Sequence, residues 1–135
     1  MFKHILVAVA FDEDDEPDRP VAAALALADK GARVTILHVK PAVPGYAISY
    51  IPSDYLLELN RAISDRLEKI AQQFKNGAGV LIEGHSGRTI VAWAEKNEVD
   101  CIIIASHRPG LQGFLIGSTA TRVVRHANCS VIVIR

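Results

Sequence analysis

Residues 101–119 read Cys-Ile-Ile-Ile-Ala-Ser-His-Arg-Pro-Gly-Leu-Gln-Gly-Phe-Leu-Ile-Gly-Ser-Thr. The stretch opens on four apolar residues, 101–104, with no polar alternation. Strands buried on both faces have that composition, as parallel sheets require. A loop with Gly110, Gly113 and Gly117 follows, and Ser118-Thr119 opens a helix-like segment that runs to residue 127. In open α/β sheets, ligands bind beyond the carboxyl ends of strands, where the strand order reverses. In the order 2-1-3-4-5 that crevice lies between the loops after the first and third strands. In the order 3-2-1-4-5 it lies between those after the first and fourth. The loop after the third apolar run, Glu83-Gly-His-Ser-Gly-Arg88, is shorter and has two glycines. The longer, glycine-rich loop after the fourth run favours 3-2-1-4-5.

Four further apolar, β-branched runs lie at 5–9, 34–37, 80–82 and 131–134. Helix-like segments separate them. Residues 20–30 are Ala/Leu-rich and stop before Gly31, which suits a helix C-cap. Residues 53–74 carry Leu56, Leu59, Ile63, Leu67, Ile70 and Phe74 at helical spacing. Residues 86–97 place Ile90, Val91 and Trp93 on an apolar side, and 118–127 do the same with Val123 and Val124. The alternation predicts a single α/β domain over residues 1–135: an open parallel five-stranded sheet, order 3-2-1-4-5, with helices on both faces. Residues 40–52, KPAVPGYAISYIP, break the pattern with three prolines and two tyrosines. They predict a surface excursion after the second strand, with a lid or partner contact as the sharper reading.

Composition narrows the function. A chain of 135 residues buries roughly 68% of its unfolded surface and needs no disulfide framework. Half the residues are apolar and 22% are charged, which excludes a disordered chain. Fifteen basic and fifteen acidic side chains cancel, which argues against nucleic-acid or anionic-membrane partners. No apolar run approaches the roughly 20 residues of a membrane span. The N-terminal stretch lacks the long apolar region and small-residue cleavage site of a secretory signal. Two cysteines, Cys101 and Cys129, make neither a disulfide framework nor a metal knuckle. A reduced, cytoplasmic protein is expected.

The start of the last helix is a candidate anion site. The N–H groups of Ser118, Thr119 and Ala120 point out of the helix N-terminus, where the macrodipole favours negative charge. Gly117 permits close approach, the two hydroxyls add donors, and Arg108 offers a planar cationic fork. The plainer alternative is N-capping by Gly117 or Ser118. There is no GxxxxGK[ST] and no GxGxxG after the first strand, which excludes a P-loop and a dinucleotide fingerprint.

These residues resemble the universal stress protein family. The layout matches along the whole chain, from ILVAV at 5–9 and LHV at 37–39 to RHANCSVIVIR at 125–135. The most specific part is Ile104-Ala-Ser-His-Arg-Pro followed by Leu115-Ile-Gly-Ser-Thr. The family's nucleotide motif is Gly-x-x-Gly, nine residues, then Gly-Ser/Thr. Here Ala105 and Arg108 replace the first two glycines, and eight residues precede Gly117. The Ala-Ser-His-Arg-Pro form resembles one branch of that family. The resemblance implies an adenine nucleotide, ATP foremost. Val39 would meet the adenine through its backbone, and Ile104 and Ala105 would line the ribose and phosphate floor. Gly117, Ser118 and Thr119 would bind the phosphates. Apart from the resemblance, His107 reads as a loop-packing or ribose-side residue, and Arg108 as a charge for the phosphates. The Asp that the family often has at the end of the first strand is Ala10 here. Asp12, Glu13, Asp14, Asp15, Glu16 and Asp18 follow it, a run that repels polyphosphate unless Mg²⁺ or outward orientation intervenes.

Rival readings are weaker. A receiver domain needs an Asp after the third strand and a Lys after the fifth, whereas the chain has Glu83-Gly84 and ends at Arg135. Five histidines, His4, His38, His85, His107 and His126, invite catalysis, but no GxSxG elbow exists. No base, nucleophile or Arg-plus-Lys pair is placed for phosphoryl transfer. No catalytic residues and no resident metal are expected. The expectation is a nucleotide-binding regulatory protein of the stress response. A dimeric interaction module that has lost nucleotide binding and a slow ATPase are the alternatives. The last strand, 130–135, is an edge without Pro, Lys or internal charge, which predicts a homodimer through its pairing with a second copy.

Overall fold

Cys101, Ile102, Ile103 and Ile104 lie on an inner strand of a five-stranded sheet, next to its central strand, and are all buried. The computed structural model describes residues 1–11, 17–106 and 116–135. In chain order its elements are β1 (Phe2–Ala8), α1 (Asp18–Leu27), β2 (Ala28–Lys40), α2 (Gly45–Ile48), α3 (Ser53–Ala71), β3 (Gly77–Glu83), α4 (Ser86–Lys96), β4 (Cys101–Ala105), α5 (Ser118–His126) and β5 (Ser130–Ile134). The sheet order is β3-β2-β1-β4-β5, and every neighbouring pair is parallel. The order chosen from the loop after the fourth strand is therefore the observed one, and the reversal falls between β1 and β4.

The unalternating runs have a direct cause. Odd-numbered residues of β1 and β4, among them Ile5, Val7, Cys101 and Ile103, with Val9 just beyond β1, pack with Val21 and Ala24 of α1 and Leu67 and Ala71 of α3. Even-numbered Leu6, Ala8, Ile102 and Ile104 pack with Ile90 and Ala94 of α4 and Ala120 and Val123 of α5. Successive side chains point to opposite faces, so a sheet covered on both sides needs apolar residues at every position. Each fully buried Ile or Leu contributes about 1.5–3 kcal/mol. Two glycines set how closely α3 lies on the sheet. A Cβ at Gly79 would stand 2.8 Å from Leu67 Cβ, and one at Gly77 would meet the Ala71 carbonyl.

Two expected boundaries are corrected. Helix α1 ends at Leu27, three residues short of the expected end, and Ala28 is extended at φ −70°, ψ 120°. Gly31 is no helix cap. It lies in the irregular start of β2, where the register passes from Phe2–Ala28 to His4–Arg33. Its φ of +98° lets the surplus residues bulge, a conformation glycine adopts without a Cβ clash. Likewise α3 stops at Ala71. Phe74 follows in a turn, its amide donating to the Ala71 carbonyl at 3.0 Å, and its ring still packs into the core. The 40–52 excursion holds the helical turn α2, with Tyr46 and Tyr50 more than four-fifths exposed.

At the amino edge of the sheet, His4 is buried. Its Nδ1–H donates to the Asn97 carbonyl at 3.0 Å and its Nε2 lies 2.9 Å from Thr35 Oγ1. The Trp93 ring meets it edge-on at 5.8 Å. Asp100 accepts the amides of Lys3 and His4. Burial holds the His4 imidazole below its usual pKa of 6.5, with the Arg33 charge adding to this and the Asn97 carbonyl and Asp100 opposing it. Among the described residues no helix is long and apolar enough to cross a membrane.

Candidate functional site

The carboxyl edge is organised around the reversal between β1 and β4. Beyond β4, the Ser106 amide donates to the Ile134 carbonyl at 2.8 Å, so β5 fixes where the chain leaves the sheet. The Gly117 amide donates to the Ser106 carbonyl. That bond brings the start of α5 back to the end of β4, although ten residues separate Ser106 from Gly117 in the chain. Gly117 is the N-cap of α5 and has no side chain with which to cap it. The first-turn amides, Ser118 to Ala120, have no intrahelical acceptor. Thr121 N–H donates back to the Gly117 carbonyl at 2.9 Å and closes the turn. Gly117 has φ −60° and ψ 157°, open to any L-residue, so the backbone itself does not demand glycine there.

The expected site residues fall as follows. Ile104 is buried and Ala105 partly exposed at the end of β4. Val39 is partly buried near the end of β2 and packs on the same face of the sheet as Ile104 and Ala120. Gly117 and Thr119 are partly exposed and Ser118 is exposed. Fold and register thus bring Val39, Ile104, Ala105, Gly117, Ser118 and Thr119 to one edge of the sheet. His107 and Arg108 lie outside the described residues, as does the acidic run from 12 to 16. Asp18 is described: exposed, it occupies the first turn of α1, where the helix dipole favours a carboxylate.

The end of β1 is held from its other side. The Val9 amide donates to the Leu37 carbonyl at 2.9 Å, and His38 Nδ1–H donates to the Val9 carbonyl at 2.8 Å. The His38 ring lies 5.1 Å from that of Phe11, whose face carries the Arg66 guanidinium at 4.3 Å. This assembly anchors the backbone as it reaches Ala10. Farther along the edge, Lys40 Nζ donates to Asn60 Oδ1 at 2.7 Å and lies 3.6 Å from the Glu83 carboxylate.

One contributor escaped the sequence reading. Ser86 Oγ lies 2.9 Å from Thr119 Oγ1. The N-cap of α4 is His85, so Ser86 is the first helical residue rather than the cap, and its hydroxyl joins α4 to α5. Gly87 makes that docking close: a Cβ there would stand 2.7 Å from Arg122 Cδ. A serine at the start of a helix reads as a cap, which is why sequence alone did not mark it.

The cysteines are separated by the sheet. Cys101 belongs to the face covered by α1 and α3, Cys129 to that covered by α4 and α5. Burial, with Cys129 and Asp100 adding to it, pushes the Cys101 thiol up to about 11. Burial and then Asp100 also raise Cys129. A cavity of about 170 Å³ beside Cys129, lined by Val91, Ala94, Glu95 and Ala127, lies at the far end of α4 from Ser86, away from this site. Among the described residues no group of three His, Cys, Asp or Glu is placed to hold a metal ion.

The chain is similar to known proteins along its whole length. The universal stress protein family model matches residues 1–135. Universal stress protein A homolog 2 of Coxiella burnetii is 31% identical over 145 residues, covering 99% of this chain and 95% of its own. The structure of universal stress protein UspA from Lactobacillus plantarum superposes with a TM-score of 0.74 at 28% identity, covering 98% of this chain and 97% of its own. The universal stress protein from Archaeoglobus fulgidus in complex with dAMP superposes with a TM-score of 0.64 at 23% identity, covering 97% and 96%. With the sheet order, the edge geometry and a family match from the first residue to the last all in agreement, this chain belongs to the universal stress protein family.

Proposed function

We propose that this protein binds an adenine nucleotide, ATP foremost, in the crevice between the ends of β1 and β4, and that it serves as a regulatory protein of the stress response. The observation that carries this reading is the Gly117–Ser106 hydrogen bond. It holds the open N-terminus of α5 at the strand-order reversal, where α/β sheets receive ligands. The A. fulgidus relative, which shares the fold, was solved with dAMP. In this reading Val39 offers backbone groups to the adenine, and Ile104 and Ala105 floor the ribose. Gly117, Ser118 and Thr119 receive the phosphates, with His107 and Arg108 joining from the adjoining loop. Mg²⁺ accompanies the polyphosphate and offsets the carboxylates of the acidic run. The two unpaired cysteines suit a reducing cytoplasm.

Mass spectrometry of the small molecule released from the purified protein tests this, together with calorimetry against ATP, AMP and adenosine. An adenine nucleotide released or bound supports the reading; absence of binding by all three overturns it. Arg108→Ala refines it. A charged hydrogen bond contributes about 1.5–3 kcal/mol, so that variant should bind ATP roughly ten- to a hundredfold more weakly while adenosine is unchanged.

The second reading, an interaction module without nucleotide, is favoured by Ala10 at the position where the family often carries an Asp. Both readings accommodate a homodimer. β5 is one of the sheet's two edge strands, and Val131, Ile132, Val133 and Ile134 are partly exposed along it; such an edge invites pairing. Sedimentation of the parent and of Ile132→Lys tests the dimer: a monomeric parent, or a variant that still dimerises, overturns it.

A further inference from the structure

We propose that Ser86 is a positioning residue for phosphate binding, acting through Thr119; this rests on the nucleotide reading above. Ser86 opens α4 and Thr119 lies in the first turn of α5. Their hydroxyl oxygens are 2.9 Å apart in a partly buried contact between residues 33 apart in sequence. The pair joins two helices that begin side by side at the carboxyl edge.

Either hydroxyl can donate in this contact, and an anion beside Thr119 would select one direction. Each carries one donor hydrogen and two acceptor lone pairs. When Ser86 donates to Thr119, the Thr119 hydrogen is free to point elsewhere. An anion over the α5 N-terminus would take that hydrogen, and the two bonds then polarise one another in series. A helical threonine divides its side chain between two rotamers. The Ser86 contact selects one of them, so Thr119 presents its hydroxyl in a set orientation. The fold supports this placement. Because His85 is the N-cap of α4, the Ser86 hydroxyl is not committed to capping its own helix. The buried Gly87 lets the Arg122 side chain lie where a Cβ would otherwise stand, so the two helix starts are docked closely rather than bridged by a single bond. Ser86 thus tunes the phosphate end of the site without touching the nucleoside end.

The test compares Ser86→Thr with Ser86→Val, two side chains of equal shape of which one keeps the hydroxyl. Calorimetry with ATP and with adenosine is read beside the thermal midpoint. Loss of one neutral hydrogen bond predicts that Ser86→Val binds ATP roughly three- to tenfold more weakly, that adenosine changes less than about twofold, and that Ser86→Thr retains the parent's ATP affinity. Thr119→Val and the Ser86→Val/Thr119→Val double variant should weaken ATP equally, because Ser86 has nothing left to orient. Equal ATP affinity in Ser86→Val and parent, a parallel loss for adenosine, or additive losses in the double variant would each overturn the proposal while leaving nucleotide binding intact. A parent that binds neither ATP nor adenosine overturns the nucleotide reading and this proposal with it. Should Ser86→Val not fold, the Thr119→Val and Thr119→Ser pair decides: a ratio of ATP affinities near one between them overturns the role of the hydroxyl.

Discussion

His4 Nε2 lies 2.9 Å from Thr35 Oγ1, inside a core in which His4 is only 4% exposed. The imidazole is neutral there, donating through Nδ1 to Asn97 and accepting from Thr35. Burial lowers its pKa below 6.5, reinforced by Arg33 from β2 and opposed by the Asn97 carbonyl and Asp100. The unfolded chain therefore binds the proton more readily than the folded one. Its contribution to stability is full above about pH 6.5 and is lost as pH falls from there through the lower folded value. Urea unfolding at pH 7.5 and pH 5.5 checks this. The parent should lose more stability on acidification than His4→Gln does, and equal losses would contradict the account.

Gly79 predicts a packing cost. A Cβ there would stand 2.8 Å from Leu67 Cβ and 2.9 Å from the Leu67 carbonyl carbon. Helix α3 must move outward to admit one, so Gly79→Val should cost about 1–3 kcal/mol in chemical unfolding. Gly45, with nothing within 4 Å of its would-be Cβ, is the control. Gly45→Ala should stay within about 0.5 kcal/mol of the parent.

The thiols should differ in reactivity. Cys101 is fully buried with its pKa pushed up to about 11, whereas Cys129 is partly exposed. The thiolate is the reactive form. A thiol reagent at pH 8 should label Cys129 slowly in the folded protein, and Cys101 only in denaturant. Because the sheet lies between them, mild oxidation should yield no intramolecular disulfide. Peptide mapping after labelling checks both statements.

The acidic residues between Asp12 and Asp18 begin four positions after β1 ends at Ala8, and β1 borders the proposed crevice. Their charge should oppose a triphosphate more than a monophosphate. Mg²⁺ should therefore strengthen ATP binding by roughly tenfold and AMP binding far less. Calorimetry with and without Mg²⁺ checks this, and equal ATP affinity in both conditions would place the carboxylates away from the ligand.

The elements that carry the candidate site were legible because their signals are local. The glycine and hydroxyls at 117–119 mark a helix start whatever surrounds them, and the apolar run 101–104 marks a strand buried on both sides. Helix ends were less legible. Residues 28–30, Ala-Asp-Lys, continue an Ala/Leu-rich segment, yet they join β2, where Ala28 pairs with Phe2 and tertiary pairing overrides the local helical preference. Gly31 was recognised as a residue needing a special backbone. Whether that need arose from a helix cap or a strand bulge depended on the register of β1 against β2.

The sequence by itself determined the class of fold, the succession of elements and the chemistry available at each strand end. Periodicity and turn residues act between near neighbours in the chain, so they are written there. The tertiary structure alone decided which groups meet. The Ser86–Thr119 contact joins residues 33 apart, and the His4–Thr35 contact joins residues 31 apart. The two cysteines stand on opposite faces because strand parity and layer packing put them there. Such pairings follow from how helices lie across a sheet, and that is settled by close packing among many side chains at once.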